Sequence, residues 1–593
     1  MQPIDPPFGG GRARLLGVYH ALGPTMPTTY VGTYDWPGPE FRRHSLSETL
    51  EEIDVPLSSR HFEIHERWRG QTGAPTVIDV LFPLMVGRSP EFLSVAREQI
   101  SSADIAMFSH PWVYSAVRGT VDHGRQLLVY DSHNVESLIK SEFLFETPLG
   151  REVGRFAAVT ECELARESDL ILACSAEDAL YFHALYGADI DKIIVVPNGT
   201  FVDHFDPPSA QRRRAVHQEL GAEGHVVAFM GSGYGPNLEA ANFICSEIAP
   251  AFPNATFIIC GNVGDLISPA QRPDNVRMLG LVSDQAKRSY LQSSSAAVNP
   301  MFSGSGTNVK MFDFMAAGLP IISTAVGARG IEGAGEAFLV CEPNEMVQCL
   351  EEVLTDARVA EALGRNARGL VEEKYAWERI SPGLGAKLQE ALSAKQSAGA
   401  TPPAHRPVST NPPFGLQNSG DQSKLILVGT CGPMRPGNGM LELIEAISIL
   451  GDSLEGIALL ALTSLDTSAE CKQHLAECEA LIQRLGLARR VTIMTDSPAN
   501  VRASLTDCDM TVLLDGQSAE ETSAAAQMAF ASGRPLITRR SDAFSEFASY
   551  SYQTETADPY VLALAMANVA CNRSLAKSLV AKSLEFRHTL GNA

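Results

Sequence analysis

Short apolar runs, each followed by an amphipathic stretch, recur along this chain, and that rhythm constrains its fold more than any other feature. The runs include 126–130 (QLLVY), 170–173 (LILA), 193–196 (IIVV), 226–230 (VVAFM), 256–260 (TFIIC) and 320–323 (PIIS). Runs this short, rich in β-branched residues and bounded by turn residues, read as strands buried on both faces. Their alternation with helices predicts doubly wound parallel sheets, an α/β fold. At 593 residues the chain is too long for a single core and fits three or four domains of about 150 residues each.

Two breaks divide it. Val196-Pro197-Asn198-Gly199 ends one run in turn residues, and Asp206-Pro207-Pro208 follows, which places a first boundary near residue 210. Residues 394–422 are rich in Pro, Ser, Gly and Ala without periodicity and read as a flexible linker. The expected units are therefore 1–210, 211–393 and 423–593. The last looks like a repeat of the middle one. Ala316-Ala317-Gly318-Leu319-Pro320 parallels Ala531-Ser532-Gly533-Arg534-Pro535, and Gln527 is assigned to the place of Asp313.

A net charge of -22 argues against nucleic acid as partner, since little would neutralise phosphates along a groove. Eleven scattered cysteines without a C-x-x-C spacing fit reduced thiols better than disulfides or zinc. No signal-peptide pattern and no run of 18 apolar residues is present, so the expected location is the cytoplasm.

Four loops carry candidate chemistry. The first, Pro6-Pro7-Phe8-Gly9-Gly10-Gly11-Arg12, lets the backbone approach an anion. A strand should precede it, and the three residues from Met1 to Pro3 are too short for one. The second, Asp131-Ser132-His133-Asn134, follows a strand, where ligand-facing residues of parallel sheets lie. The third is Gly231-Ser232-Gly233-Tyr234-Gly235-Pro236-Asn237. The fourth joins a small-residue loop, Gly304-Ser305-Gly306-Thr307, to Lys310 and Asp313 at the start of a helix. Amides and an ammonium there suit a diphosphate, and an acid one turn on suits ribose hydroxyls. Asp189-Ile190-Asp191, a D-x-D, reads as turn chemistry.

The succession PPFGGGR, YDSHNVE, VVPNG, FMGSGYGPN and NPMFSGSGTNVKMFDFMAAGLP, in this order over about residues 1–390, resembles the retaining family 4 glycosyltransferases of GT-B fold. The resemblance implies two Rossmann-like domains flanking a cleft, with a third, degenerate one at the C-terminus. It also implies retention of anomeric configuration, a nucleotide-diphosphate sugar as donor, and neither metal nor cofactor. By the same resemblance Gly10 and Gly11 lie near the donor phosphate or the acceptor, and His133 lies near the sugar. Ser232, Gly233 and Asn237 lie beneath the donor, and Leu281 and Val282 meet the base. Gly304, Ser305, Gly306, Thr307 and Lys310 hold the diphosphate, Asp313 binds ribose, and Asn198 and Gly199 mark the hinge. The catalytic set is then His133, Lys310 and Asp313, with Lys310 the sole cation assigned to the diphosphate.

The family's first helix glutamate falls on Ser305, and its second is shortened to Asp313. The implied acceptor is a carbohydrate or a glycolipid, with peripheral contact at the inner membrane face. A protein partner is expected through 423–593. The alternatives are an inactive nucleotide-sugar sensor or scaffold, and a GT-B epimerase.

Overall fold

The computed structural model describes residues 2–591 except 8, 145, 206–208, 305, 400–424, 455, 465–467, 496–497 and 515–518. It is an α/β protein of four sheets. In the first unit β1 (Thr28–Gly32), β2 (Arg42–Ser45) and β3 (Leu50–Asp54) form one sheet in the order β1-β3-β2. Next, β4 (Ile105–Phe108), β5 (Leu127–Asp131), β6 (Leu170–Ala173) and β7 (Ile193–Val195) form a parallel sheet in chain order. All five residues of β5 are buried, because helices cover both faces. Residues before the glycine-rich loop form no strand, yet Ile4 is fully buried in one cluster with Leu50 of β3 and Val129 of β5.

The second and third units repeat one architecture. β8 (Val226–Met230), β9 (Thr256–Cys260), β10 (Val276–Gly280), β11 (Ala296–Asn299), β12 (Ile321–Ser323) and β13 (Leu339–Val340) pair in parallel in the order β10-β9-β8-β11-β12-β13. β14 (Ile426–Pro433), β15 (Ile457–Ser464), β16 (Val491–Thr495), β17 (Met510–Leu513), β18 (Leu536–Arg539) and β19 (Tyr552–Thr554) follow the same order, β16-β15-β14-β17-β18-β19, also in parallel. This order is the Rossmann-type doubly wound sheet.

One difference from the sequence reading follows from packing. The helix Trp377–Gly399 runs through the start of the expected linker, and residues 400–422 of that linker lie outside the described residues. This helix closes on the first unit: Trp377, Leu384, Leu388 and Leu392 share a cluster with Leu15, Val18 and Leu127. Gly17 and Gly385 permit the approach, since a Cβ at either would overlap Trp377 or the Leu22 carbonyl.

The third unit packs on the first, and one apolar cluster runs through both. The helix Pro559–Cys571 lies between Met440–Ser453 of its own unit and Pro148–Glu167 of the first. Its residues 561–569 are all buried, as a helix apolar all round requires. Trp68 stacks edge-on against Tyr560 at 5.1 Å, Arg155 lies 4.8 Å over the Tyr552 ring, and the Tyr552 hydroxyl donates to Glu152. Arg151 pairs with Glu555, and Arg88 donates to the carbonyls of Gly451 and Asp452. Among the described residues no helix is long and apolar enough to cross a membrane.

Candidate functional site

The ends of the strands in the first two units face one crevice, and glycines set its width. A Cβ at Gly10, the first residue of helix Gly10–Tyr19, would lie 3.3 Å from Val309 of the second unit. One at Gly306 would lie 2.7 Å from Oδ1 of Asn134, and one at Gly330 would lie 3.5 Å from Cβ of Ser175. Gly306 also has φ +72°, a conformation that glycine adopts without strain. The backbone at Gly306 thus presses against the turn that carries His133. Ser305 lies outside the described residues.

The first unit contributes a buried ionic knot. Arg14, 2% exposed, donates to Oδ1 of Asp131 at 2.9 Å, to the carbonyl of Val196 at 2.9 Å and to Oδ1 of Asn198 at 3.2 Å. Tyr19 donates to the other oxygen of Asp131 at 2.7 Å. Burial opposes ionisation of Asp131, but Arg14, His133 and Tyr19 together outweigh it and hold the carboxyl well below its ordinary range. His133 follows, with Nε2 3.7 Å from Asp131 and a Cβ at Gly11 only 3.8 Å from Nδ1. Burial first, then the neighbouring His110, lowers its pKa to about 4, so the ring is neutral at pH 7. Its Nε2 is buried without a hydrogen-bond partner among the described residues.

The second unit contributes the cation. The helix Lys310–Ala316 begins at Lys310 itself. Its half-buried ammonium reaches Oδ1 of Asn237 at 2.8 Å and sits 4.4 Å over the Phe229 ring. Asn237 in turn donates to the Ser232 carbonyl at 3.2 Å, so the expected loop residues Ser232, Asn237 and Lys310 are brought together. Gly233 is fixed by its N–H to Asn262 at 2.8 Å. No carboxylate among the described residues pairs with Lys310, and burial lowers its pKa to about 7.

Lys310 and Asp313, expected on one face, go to different partners. Asp313 accepts from Thr200 at 2.6 Å and pairs with Lys287 at 3.0 Å. Lys287 lies in the helix Asp284–Gln292 just after Leu281 and Val282, which follow β10, and Leu281 is 75% exposed. Asn198 and Gly199 lie at the crossover between units. The Thr200 N–H donates to the Tyr375 carbonyl and its carbonyl accepts from the Trp377 N–H, at 3.0 Å each.

Sequence reasoning missed four participants. Arg14 and Lys287 carry no motif. Arg329 donates to the carbonyls of Gly304 at 2.7 Å and Gly306 at 3.4 Å, a second cation beside the loop. Its signal was Gly327-Ala328-Arg329-Gly330, a small-residue turn just past a strand. His110, past β4, went unseen because 105–108 was not read as a strand. Asp189 caps its own turn, accepting from the Asp191 N–H at 3.1 Å. A triad that could hold a metal, His44, Glu52 and Asp54, lies in the first sheet, where Arg42 already pairs with both acids.

Residues 224–356 match the family model described as "Glycosyl transferases group 1". A D-inositol 3-phosphate glycosyltransferase from Nocardia farcinica is 36% identical over 24% of this chain and 31% of its own length. One from Rhodococcus erythropolis is 27% identical over 46% of this chain and 65% of its own. The chain thus spans about a third to two thirds of these relatives. A sucrose-phosphate synthase structure from Thermosynechococcus elongatus superposes with a TM-score of 0.51 at 18% identity, covering 65% of this chain and 94% of that one. That likeness establishes the two-unit GT-B arrangement.

Proposed function

We propose, from the premise that residues 224–356 are a glycosyl transferases group 1 domain, that this protein transfers a sugar from a nucleoside-diphosphate donor to a hydroxyl of a carbohydrate or glycolipid. One observation carries the reading: an ammonium without a carboxylate, Lys310, stands beside a glycine loop, across a narrow crevice from a buried neutral imidazole, His133.

An anionic diphosphate at 304–307 restores the proton that burial strips from Lys310, and loop amides supply further donors. Leu281, Val282 and the Asp313–Lys287 pair take the nucleoside. The His133 ring meets a sugar hydroxyl at its unpartnered Nε2. As the glycosidic bond breaks, charge grows on the diphosphate, and Lys310 with the amides stabilises it where it develops. Retention of configuration, and operation without a metal, come from the resemblance and are part of the proposal. So is a cytoplasmic protein with peripheral membrane contact. The relatives' name offers D-inositol 3-phosphate as the first acceptor to try.

The test is release of nucleoside diphosphate from UDP-, GDP- and ADP-glucose, with D-inositol 3-phosphate and with water as acceptors. His133→Ala is expected to lower turnover at least ~10²-fold while nucleotide affinity changes less than about threefold. Equal losses in both would remove His133 from the sugar.

A further inference from the structure

We infer that the crossover 196–200 is a strap that couples nucleoside binding at Asp313 to the placement of the His133 ring, with Asn198 and Thr200 as its positioning residues. The inference rests on the glycosyl-transfer reading above, which puts the nucleoside at Asp313. The strap leaves the first unit just past β7 and reaches the second within five residues. Each end is tied to a buried side chain of the crevice, one in each unit.

At the first-unit end, Arg14 donates to the Val196 carbonyl at 2.9 Å and to Oδ1 of Asn198 at 3.2 Å. The same guanidinium holds Oδ1 of Asp131 at 2.9 Å, and Oδ2 of that carboxylate lies 3.7 Å from Nε2 of His133. A shift of Asn198 therefore disturbs a cation shared with the group beside the imidazole. At the second-unit end, the Thr200 hydroxyl donates to Oδ1 of Asp313 at 2.6 Å, and Lys287 pairs with Oδ2 at 3.0 Å. Asp313 is thus held from two sides. Each carboxylate oxygen accepts more than one hydrogen bond, so ribose hydroxyls meet a group already fixed in place.

The strap has no slack. The main chain of Thr200 is bonded in both directions to the return crossing, at Tyr375 and Trp377. A Cβ at Gly199 would lie 2.3 Å from the Tyr375 carbonyl oxygen, so the two crossings lie directly on one another. The Tyr375 ring in turn lies 4.8 Å from that of Phe312, the neighbour of Asp313. Asn198 and Thr200 are both buried. Two residues span at most about 7 Å, so a displacement at one anchor has no loose chain in which to dissipate. Coupling between binding sites is reciprocal: what the first-unit anchor does for nucleoside affinity, the nucleoside does for the first-unit anchor.

The experiment titrates the full chain with UDP, GDP and ADP and follows the one that binds most tightly. Asn198 is held by the first unit, outside the groups assigned to the nucleotide, yet Asn198→Ala should weaken binding at least ~5-fold. Thr200→Val keeps the shape and both main-chain bonds but removes the hydroxyl, and should weaken binding by a similar factor. Thr200→Ser keeps the hydroxyl and should stay within about twofold of wild type. The double variant Asn198→Ala, Thr200→Val should lose no more than the larger single loss, because one strap is cut once. With the matching nucleoside-diphosphate glucose at saturation and water as acceptor, each single variant except Thr200→Ser should also slow diphosphate release roughly tenfold. The two ends are probed separately, so either variant decides the matter should the other fail to fold. Wild-type affinity in Asn198→Ala, or losses that multiply in the double variant, would overturn the strap while leaving glycosyl transfer intact. A wild-type chain that binds a nucleotide yet releases nothing from any donor would overturn the transfer reading, and the binding cycle would still decide the strap. A wild-type chain that binds none of the three overturns both.

Discussion

The second and third units share strand order, parallel pairing and the glycine that ends the helix after their fourth strand, yet where that helix carries Lys310 and Asp313 in the second unit it carries apolar residues in the third. Lys310 stands eight residues before Gly318; eight before Gly533 is Ala525. Five before the same glycines are Asp313 and Met528. The sequence reading had put Gln527 at the acid's place, one residue off, and Gln527 is exposed and bonded to Ser523 on the outer face. The third unit does keep a small cleft at the ends of β14 and β17, bordered by Thr430, Asn438, Gly439, Leu514, Thr522 and Ala525. None of the described residues lining it is charged. One architecture thus serves two ends. In the second unit the loops past the strands line the crevice, and in the third an outer helix covers a neighbour. Fold and site chemistry are separable properties of a sequence.

Three experiments break or sharpen that contrast. The largest effect is expected from ending the chain at Gly399. Trp68, the helix Pro148–Glu167 and the buried carboxyls Glu152 and Glu163 would lose their covers. The shortened chain should aggregate or bind a hydrophobic dye; a stable monomer that melts like the full chain would show the third unit to be dispensable.

Next in size is Lys310→Ala, which should weaken nucleoside-diphosphate binding ten- to a hundredfold, the equivalent of roughly 1.5–3 kcal/mol for one charge-assisted bond. The same lysine sets a pH dependence. The anion binds the ammonium form, and the free protein loses that proton above about pH 7. Affinity should therefore fall as pH rises from 7 to 9, by up to about tenfold per unit, with proton uptake on binding. Titration calorimetry in two buffers reads both, and Lys310→Ala should flatten the profile.

The smallest effect is expected from Asp313→Asn. Lys287 keeps Asp284 at 3.4 Å, so stability should drop by about 1 kcal/mol while nucleotide affinity falls a few-fold. A melting curve and a binding titration separate the two.

The six apolar runs were legible because strands buried on both faces admit little else, and every one is a strand. The polar strand Arg42–Ser45 carries no such run and was not seen. Gly306 and Lys310 were legible from the sequence as crevice residues, and their role toward an anion belongs to the proposal. Arg14 and Lys287 were not, because their partners Asp131 and Asp313 are 117 and 26 residues away, a distance that no local spacing encodes. The docking of the third unit did leave a trace. VLALAMANVA (561–570) is apolar on every face, which demands cover on two sides, and the linker composition hid that demand.

The most direct test of the account is the stoichiometry of nucleoside-diphosphate binding to the full chain, measured by titration calorimetry with and without Lys310→Ala. The expected result is one site per chain, weakened at least ~10-fold by the substitution. Two sites per chain, or one site indifferent to Lys310, would mean that the cleft of the third unit binds the donor and that the contrast between the units is false.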